Sequence, residues 1–320
     1  MARFAKRALN GLLLLAAVSL LSFVLLSLAP GDFFQELKLN PQISPQTLAA
    51  LRAEYGLDRP FAVRYWYWTK AALRGDFGYS LSYKCPVGTL LWPRARNTLL
   101  LTILATVVAW MIALPWGILE AVHRDAWLDH LGAALTSLLL ATPELLLGLL
   151  LLLFAARTGW FPTGGMTSVN AAANGLPSRF GDTALHLVLP VVALALGAAP
   201  ILVRHVRSAM VGALTSPFVE AAYGFGLPRQ RILWRHALPA AANSLISLLG
   251  FSIGGLLSMS FLVEVILNWP GLGPLVLEAL LARDTQVVMA AVMLSSVFLV
   301  AGNVIADALL YWNDPRIRTV

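Results

Sequence analysis

Residues 242–265 read ANSLISLLGFSIGGLLSMSFLVEV, an apolar run with one carboxylate, Glu264, and no basic residue. A run of this length crosses a hydrocarbon layer about 30 Å thick as a helix, because a helix satisfies its backbone polar groups internally. Five further runs are comparably long and apolar: residues 8–29, 98–119, 131–155, 186–203 and 287–311. Together with 58% hydrophobic and 12% charged residues over 320 positions, they predict an all-α integral membrane protein with six transmembrane helices.

Two of these runs contain patterns that also occur outside membrane spans. The first follows basic residues, as a signal-peptide core does, but it exceeds the roughly 7–15 residues of such a core, so we expect an uncleaved span. Residues 250–254, GFSIG, match the nucleophile motif of serine hydrolases, which requires a strand, a sharp turn and a helix. A continuous apolar run favours helix instead. Gly250, Gly254 and Ser258 then recur every four residues and predict close helix packing.

The distribution of basic residues predicts the orientation in the membrane. The interval 204–235 holds five Arg against one acidic residue, and basic side chains also precede the first run and follow the last. Because Lys and Arg concentrate in cytoplasmic loops, we expect the loop 204–241 and both termini inside. The interval 30–97 is expected outside, since loops longer than about 60 residues translocate largely regardless of charge. The net charge of +7 therefore indicates orientation rather than a nucleic-acid partner.

The interval 216–239 predicts a helix, a turn and a second helix. Ser216 is placed to N-cap the first helix, and Pro217 suits its first helical position. Glycines at positions 224 and 226 end that helix. Residues 227–228 begin the second helix, which Pro239 is expected to close.

The outer interval is predicted to be structured. Ser44 and Pro45 begin a short helix that Gly56 ends, and a second helix is expected over residues 60–73. The second helix carries aromatic residues, which suit either the membrane–water boundary or packing on neighbouring loops. They are Phe61, Tyr65, Trp66 and Trp68. The lone Cys85 excludes a disulfide framework within the chain.

Several short motifs resemble those of ATP-binding-cassette (ABC) importer permeases, specifically the first-subunit type of the peptide and nickel family. In the loop, Glu220-Ala221-Ala222 is followed after three residues by Gly226 and then by Leu227-Pro228. The remaining motifs are PGD at 30–32, GLDRP at 56–60, GDFG at 75–78 with Ser80, WPGLG at 269–273 and DPRIR at 314–318. The chain departs from the family pattern at Phe33 and at residues 223–225.

The resemblance implies a type I ABC importer transmembrane domain in the bacterial inner membrane. Residues 1–97 would form the first helix and a periplasmic scaffold loop, residues 98–312 the permease core with the cytoplasmic coupling loop 204–241, and residues 313–320 a cytoplasmic tail. The implied function is half of the translocation pathway for di- or oligopeptides or a related small solute, with a nickel chelate possible. The implied partners are membrane lipid, a second homologous permease subunit, two ATP-binding-cassette subunits that hold ATP and Mg, and an extracytoplasmic solute-binding protein.

The sequence offers two sets of candidate site residues: the first is implied by the resemblance, and the second combines motif residues with carboxylates that lie in or near the spans. The residues implied to couple the chain to the ATPases are Glu220, Ala221, Ala222, Gly226, Leu227, Pro228 and Arg229. The candidate pathway and gate residues are Glu144, Glu264, Asn268, Trp269, Pro270, Gly271 and Asp307. The alternative interpretation of Glu220 is that its carboxylate only stabilises its own helix, through a favourable interaction with the positive end of the helix dipole. The three membrane carboxylates either face the pathway or pair with polar neighbours, because a charge at the bilayer centre costs at least about 2.5–3.5 kcal/mol.

Two other function classes remain open from the sequence. An ion-coupled secondary transporter would use the membrane carboxylates, and a non-transporting membrane scaffold is a more distant alternative. The chain contains no P-loop, since it lacks even a Gly-Lys dipeptide, and its five His have no metal-binding spacing. We therefore predict no catalytic residue, metal site or cofactor on this chain, with ATP hydrolysed by partner subunits.

The predicted orientation is testable by cysteine labelling. An impermeant maleimide should label Cys85 in intact spheroplasts, because residue 85 lies in the outer interval. In a Cys85→Ser background, a cysteine placed at Gln230 should react only after the membrane is permeabilised. Labelling at position 230 in sealed spheroplasts would contradict the assignment.

Overall fold

The computed structural model describes residues 2–28, 46, 58–168 and 176–313, and most of these residues are helical. The helices are α1 (Ala2–Leu28), α2 (Phe61–Ala72), α3 (Val87–Val122), α4 (Trp127–Ala141), α5 (Glu144–Thr158), α6 (Leu176–Leu214), α7 (Pro217–Gly224), α8 (Arg229–Ile232), α9 (Leu238–Ile266), α10 (Leu272–Leu281) and α11 (Thr285–Asn313). A π-helical turn, Leu233–Ala237, joins α8 to α9. Strands β1 (Tyr79–Ser80) and β2 (Cys85–Pro86) pair antiparallel between α2 and α3. The motifs at 30–32 and 314–318 and, apart from residue 46, the helix predicted to end at Gly56 lie outside the described residues.

The six-span prediction is confirmed in outline. Among the described residues, five helical segments are long and apolar enough to cross a membrane, and a bent helix pair makes a sixth span if it is counted as one. The five segments are Leu9–Leu28, Val87–Val122, Phe180–Leu214, Arg229–Ile266 and Thr285–Asn313. They contain the described residues of five of the predicted runs. The run at 131–155 is the one that differs.

The predicted third span is not one helix but two. Helices α4 and α5 meet at an angle of 95°. Thr142 has φ −84° and ψ 117°, and Pro143 has φ −58° and ψ 139°, so both residues are extended. A proline ring disfavours helical backbone at the preceding residue, which explains why the helix stops at Ala141. The expectation of a continuous third span is therefore wrong.

The fourth span shows the opposite response to proline. Pro190 and Pro200 lie inside α6, which continues from Leu176 to Leu214 and extends well beyond the predicted run at both ends. This helix is the most buried of the apolar segments and packs against α4, α5 and α9. Each proline lacks an N–H donor and so leaves a carbonyl of the helix without its usual partner. Packing by neighbouring helices allows a membrane helix to tolerate such prolines.

The described residues of Met1–Asn97 and Pro270–Phe298 form one compact unit. In it, Phe23 of α1 packs with Trp68 of α2 and Met289 of α11. The β1–β2 hairpin is held by Asp284, whose carboxylate accepts a hydrogen bond from the Ser80 hydroxyl at 2.6 Å. The predicted helix 60–73 is observed as α2. Its Trp68 is buried against α1 and α11 and not against loops, and its Trp66 is exposed.

Tyr83 makes a further contact within this unit. Its hydroxyl donates a hydrogen bond to the Glu278 carboxylate on α10. Burial, followed by this hydrogen bond, raises the pKa of Tyr83 to about 12, so the phenol remains protonated at neutral pH. The hairpin is thus attached both to α10 and to the residue preceding α11.

The second unit comprises the described residues of Thr98–Trp269 and Leu299–Val320. Here α9 and α11 pack closely through glycine: a Cβ on Gly250 would lie 2.3 Å from the Ala306 Cβ, and one on Gly254 would lie 2.3 Å from the Leu299 Cδ1. The predicted packing role is confirmed for these two glycines, whereas Ser258 is exposed. Ser252, the nucleophile of the hydrolase motif, is buried within α9 and accepts a hydrogen bond from Trp110 Nε1 at 3.0 Å.

The packing role of Gly250 can be tested against a glycine on the same helix. Gly250→Leu should destabilise the protein by about 1–3 kcal/mol or more through overpacking against α11. Gly255→Leu is the matched control, because no atom lies within 4 Å of a Cβ at that position. Thermal unfolding in detergent should show a lower midpoint for Gly250→Leu than for Gly255→Leu. Equal midpoints would contradict the packing assignment.

Candidate functional site

The loop between α6 and α9 begins with the predicted helix, but its cap differs from the prediction. Pro217 occupies the first position of α7, as expected, after an extended Ser216. The Ser216 side chain does not cap α7. Its hydroxyl donates instead to the carbonyl of Ala213 at 2.5 Å, toward the end of α6. This hydrogen bond stabilises the turn out of α6.

The end of α7 is a Schellman turn centred on Gly226. Gly226 has φ +71°, its N–H donates to the Tyr223 carbonyl at 2.9 Å, and the Leu227 N–H donates to the Ala222 carbonyl at 3.3 Å. Leu227 packs on the small cluster of Val219, Ala222 and Ile232. A Cβ at position 226 would meet no atom within 4 Å, so glycine is required by the left-handed backbone and not by space.

The second half of the loop is continuous with a membrane span. Helix α8 passes through the π-helical turn into α9, so Pro239 does not close the second helix as predicted. In the π-helical turn, the Leu238 N–H donates to the Leu233 carbonyl, five residues back. The wider turn immediately before Pro239 displaces the carbonyl that the proline ring would otherwise meet, and the helix continues.

The coupling candidates divide into exposed and inward-facing residues. Glu220, Ala221, Gly226 and Pro228 are exposed, whereas Ala222 is buried and Leu227 is half-buried against the cluster just described. Four aromatic side chains beside them are also exposed, with Phe225 at 85%: they are Phe218, Tyr223, Phe225 and Trp234. A concentration of exposed aromatic residues on a short loop is typical of a protein–protein contact surface.

Arg229 connects the loop to a third helix. Its Nη2 donates to the carbonyl of Val122, the last residue of α3, at 3.1 Å. A helix leaves its last four carbonyls without intrahelical donors, so Arg229 satisfies one of these groups. The side chain implied to contact the ATPases is therefore used, at least in part, within the chain.

An ion pair near the loop was not predicted from the sequence. Arg207 of α6 donates from Nε and Nη2 to the two carboxylate oxygens of Asp129 on α4, each at 2.6 Å. Arg204 donates to Ser137 Oγ, also on α4, at 2.8 Å. Both arginines belong to the interval 204–235, whose basic residues predict the orientation in the membrane. Asp129 lies 78 residues from Arg207, and no local spacing indicates such a pair.

The motif that follows α9 forms a second Schellman turn. Asn268 has φ +49° and donates its N–H to the Val265 carbonyl at 3.3 Å, while the Trp269 N–H donates to the Glu264 carbonyl at 2.8 Å. Trp269 and Glu264 are 0% exposed. Asn tolerates left-handed backbone better than most residues, which explains its place here. The motif therefore defines how the chain leaves α9.

The next two residues of the motif belong to the other compact unit. The Pro270 carbonyl accepts a hydrogen bond from Asn97 Nδ2 at 2.7 Å, and Gly271 occupies the N-cap position of α10. These contacts are structural. They join the start of α10 to α3.

Two of the three candidate carboxylates, Glu264 and Asp307, lie far apart. Glu144 is the first residue of α5, directly after the bend and not midway along a span, and its Cγ lies beside Gly197 of α6. Asp307 adjoins Ala306, which packs on Gly250. At about 1.5 Å per residue, Glu264 lies about 21 Å further along α9. Within the described residues no group of three or more His, Cys, Asp or Glu is arranged to hold a metal ion.

Comparison with known proteins gives consistent matches. Residues 1–112 match the N-terminal model, and residues 113–319 the main model, of the binding-protein-dependent transport system inner membrane component. The oligopeptide transport system permease protein AppB of Bacillus subtilis is 36% identical over 98% of each chain. The glutathione transport system permease protein GsiC of Salmonella typhimurium is 32% identical over 98% of this chain and 97% of its own length.

A solved structure shows the same fold. An inward-facing structure of the MetNI methionine ABC transporter matches with a TM-score of 0.53 and 22% identity, over 68% of this chain and 95% of that one. The chain has the fold of a type I ABC importer transmembrane domain, and it belongs to the family of binding-protein-dependent transport system inner membrane components.

Proposed function

We propose that this chain forms half of the translocation pathway of an ATP-driven importer for di- or oligopeptides. As a permease subunit it is not itself an enzyme, and ATP is hydrolysed by partner subunits. The solute class rests on the relatives, one named for oligopeptides and one for glutathione, which is itself a small peptide. We assign peptides ahead of a nickel chelate on that basis.

The observation that carries the mechanism is the attachment of the exposed loop to two long helices. Helix α6 ends at Leu214, three residues before α7 begins, and the segment after the turn is one helix from Arg229 to Ile266. The Schellman turn at Gly226 fixes the angle between α7 and α8. A partner that moves α7 would therefore tilt both spans together, because a short, hydrogen-bonded turn absorbs little of the displacement.

Charge and packing extend this connection to two further helices. Arg229 attaches the loop to the end of α3, and the Asp129–Arg207 pair attaches α4 to α6. Arg–carboxylate pairs with two parallel hydrogen bonds are directional as well as strong. We infer that these contacts make the cytoplasmic ends of α3, α4, α6 and α9 move as a group when the loop is displaced.

The assembly we propose contains a second homologous permease subunit, two ATP-binding-cassette subunits with ATP and Mg, and an extracytoplasmic solute-binding protein. ATP binding would close the two ATPase subunits, displace the docked loops and convert the pathway from inward-facing to outward-facing. Solute would then enter from the binding protein. In this arrangement the loop and both termini lie in the cytoplasm. No specific observation favours the ion-coupled alternative, since two of its candidate carboxylates, Glu264 and Asp307, lie far apart along the spans.

The left-handed backbone at Gly226 gives the first test of coupling. Gly226→Val should strain the turn by at least about 1–2 kcal/mol and misalign α7, which should lower ATPase stimulation by the binding protein at least about fivefold. Gly224→Val is the matched control, because Gly224 has equally open surroundings but no positive φ. The measurement is ATPase activity of the reconstituted complex with and without binding protein. Equal stimulation in both variants would contradict a role for the turn.

The carboxylate of Glu220 gives the second test. Glu220→Lys should reduce uptake and stimulated ATPase activity while the chain still inserts, because Glu220 is exposed and lies outside the spans. Gln230→Lys introduces the same positive charge at another exposed position of the loop and should have little effect. If the Glu220→Lys complex kept wild-type uptake, stimulated ATPase activity and subunit stoichiometry, the coupling role would be contradicted. The carboxylate would then act only within its own helix.

Glu144 is proposed to contribute to solute selection, because it lies at the bend between α4 and α5 beside Gly197. Glu144→Gln should leave assembly intact and change the preference among peptides of different charge. Glu144→Asp keeps the charge and should retain the wild-type preference. Uptake competition with acidic, neutral and basic dipeptides measures this, and identical preferences in all three proteins would make Glu144 a structural residue.

A further inference from the structure

The unit formed by Met1–Asn97 and Pro270–Phe298 contains a cavity of about 220 Å³ that the transport mechanism does not use. It lies between the C-terminal end of α1, helix α2, the residues before β1 and the start of α11. Ligand pockets for drug-sized molecules span about 300–1,000 Å³, so this cavity suits a smaller group. Its lining includes Arg59, Arg64, Trp68 and Asp76.

The two arginines of this cavity are arranged to bind an anion. The Arg59 guanidinium lies over the Tyr67 ring at 5.2 Å, and the Arg64 guanidinium lies over the Phe23 ring at 5.7 Å. Neither forms an ion pair with a carboxylate among the described residues. Stacking occupies the face of a guanidinium and leaves its N–H groups, which point outward in the plane, available for an anion such as phosphate.

Trp68 provides an independent indication of a ligand. Its side chain lines the cavity and is 9% exposed, and its indole N–H has no acceptor among the described residues. A buried N–H without an acceptor costs free energy, and most such groups in native proteins are hydrogen-bonded. A bound acceptor would satisfy this donor. Arg59, Arg64 and Trp68, three side chains that carry N–H donors, therefore line one small cavity.

Asp76 adds the opposite charge. One of its carboxylate oxygens accepts the Gly78 N–H at 2.9 Å, and the side chain lines the same cavity. The cavity thus offers donors for an anionic group and a carboxylate for a cationic one. Such a pattern complements a zwitterion with a phosphate and an amine.

The apolar surroundings indicate that the zwitterion is a lipid headgroup. Phe23, Leu26 and Ser27 of α1 line the cavity, and the same helix exposes a series of leucines toward its C-terminal end. They are Leu20, Leu21, Leu25 and Leu28. Of these leucines, Leu20 lies on the side of α1 that lines the cavity, whereas the other three lie about 140–160° around the helix from Phe23. Because α1 is an apolar span, an acyl chain can lie beside Leu20 while its headgroup enters the cavity.

We propose that this cavity binds the headgroup of phosphatidylethanolamine, with the phosphodiester held by Arg59, Arg64 and the Trp68 indole, and the amine beside Asp76. One acyl chain lies beside the exposed Leu20 of α1. The site would attach α1 and α2 to one leaflet of the bilayer.

Lipid titration of the full-length chain by native mass spectrometry tests the proposal. The delipidated protein should bind one phosphatidylethanolamine with measurable affinity. Arg59→Gln combined with Arg64→Gln should weaken binding at least about tenfold, because two charge-assisted hydrogen bonds are lost. Trp68→Phe keeps the buried ring, removes only the N–H and should weaken binding about fivefold.

Two controls separate this site from general lipid adhesion. Arg74→Gln removes an exposed arginine near the end of α2 that does not line the cavity, and it should bind lipid within about twofold of wild type. Asp76→Asn should reduce the preference for phosphatidylethanolamine over phosphatidylglycerol, which lacks the amine. Thermal unfolding of each variant without lipid establishes that its fold is retained. Equal lipid affinity in wild type, the double arginine variant and Trp68→Phe would overturn the proposal.

Soluble competitors distinguish a lipid from other phosphate-containing or zwitterionic ligands. Inorganic phosphate and phosphoethanolamine at millimolar concentration should displace the lipid poorly, because they lack the acyl chain. Displacement by inorganic phosphate as effective as by lipid would identify a free-phosphate site and overturn the lipid assignment. Displacement by a dipeptide would identify a solute site and would overturn it as well.

Discussion

A helix leaves its last four carbonyls without intrahelical donors, and a membrane protein must satisfy these groups within a few residues. Among the residues that the structure describes, four helices do so with the same turn, in which a residue of positive φ follows the helix and two N–H groups bond back to its last turn. The residues of positive φ are Gly75, Gly226, Asn268 and Arg283. These turns set the direction in which the chain leaves α2, α7, α9 and α10, and the hairpin, the coupling loop and α11 follow from them.

Proline shows how strongly the surroundings modify a local rule. Pro143 ends a helix and produces a right-angled bend, whereas Pro190 and Pro200 are accommodated inside the buried α6. Pro239 is accommodated in a third way, through a π-helical turn immediately before it. In each case the ring removes one N–H and crowds one carbonyl. Packing and hydrogen-bond register then decide between a break and a continuation.

Polar contacts at helix ends also organise the proposed coupling. The loop presents aromatic residues and Glu220 outward, while Leu227, Ala222 and Arg229 face the chain itself. A rigid loop is useful for transmission only if the helices that it joins are themselves continuous, and both are. In the other compact unit, side-chain donors rather than backbone groups line the proposed headgroup cavity. The two sites also differ in exposure: the loop presents its aromatic residues on the surface, whereas Trp68 of the cavity is buried.

The sequence by itself determined the apolar spans, the existence of the loop helix and the special role of Gly226, because each depends on composition or on backbone energetics within a few residues. The close packing of Gly250 and Gly254 followed from their spacing in the same way. Tertiary structure alone decided which residues meet across long separations. Asp129 pairs with Arg207, and Arg229 donates to the carbonyl of Val122. The spacing of residues along the chain does not predict such pairings, because they depend on where separate helices place their side chains after packing.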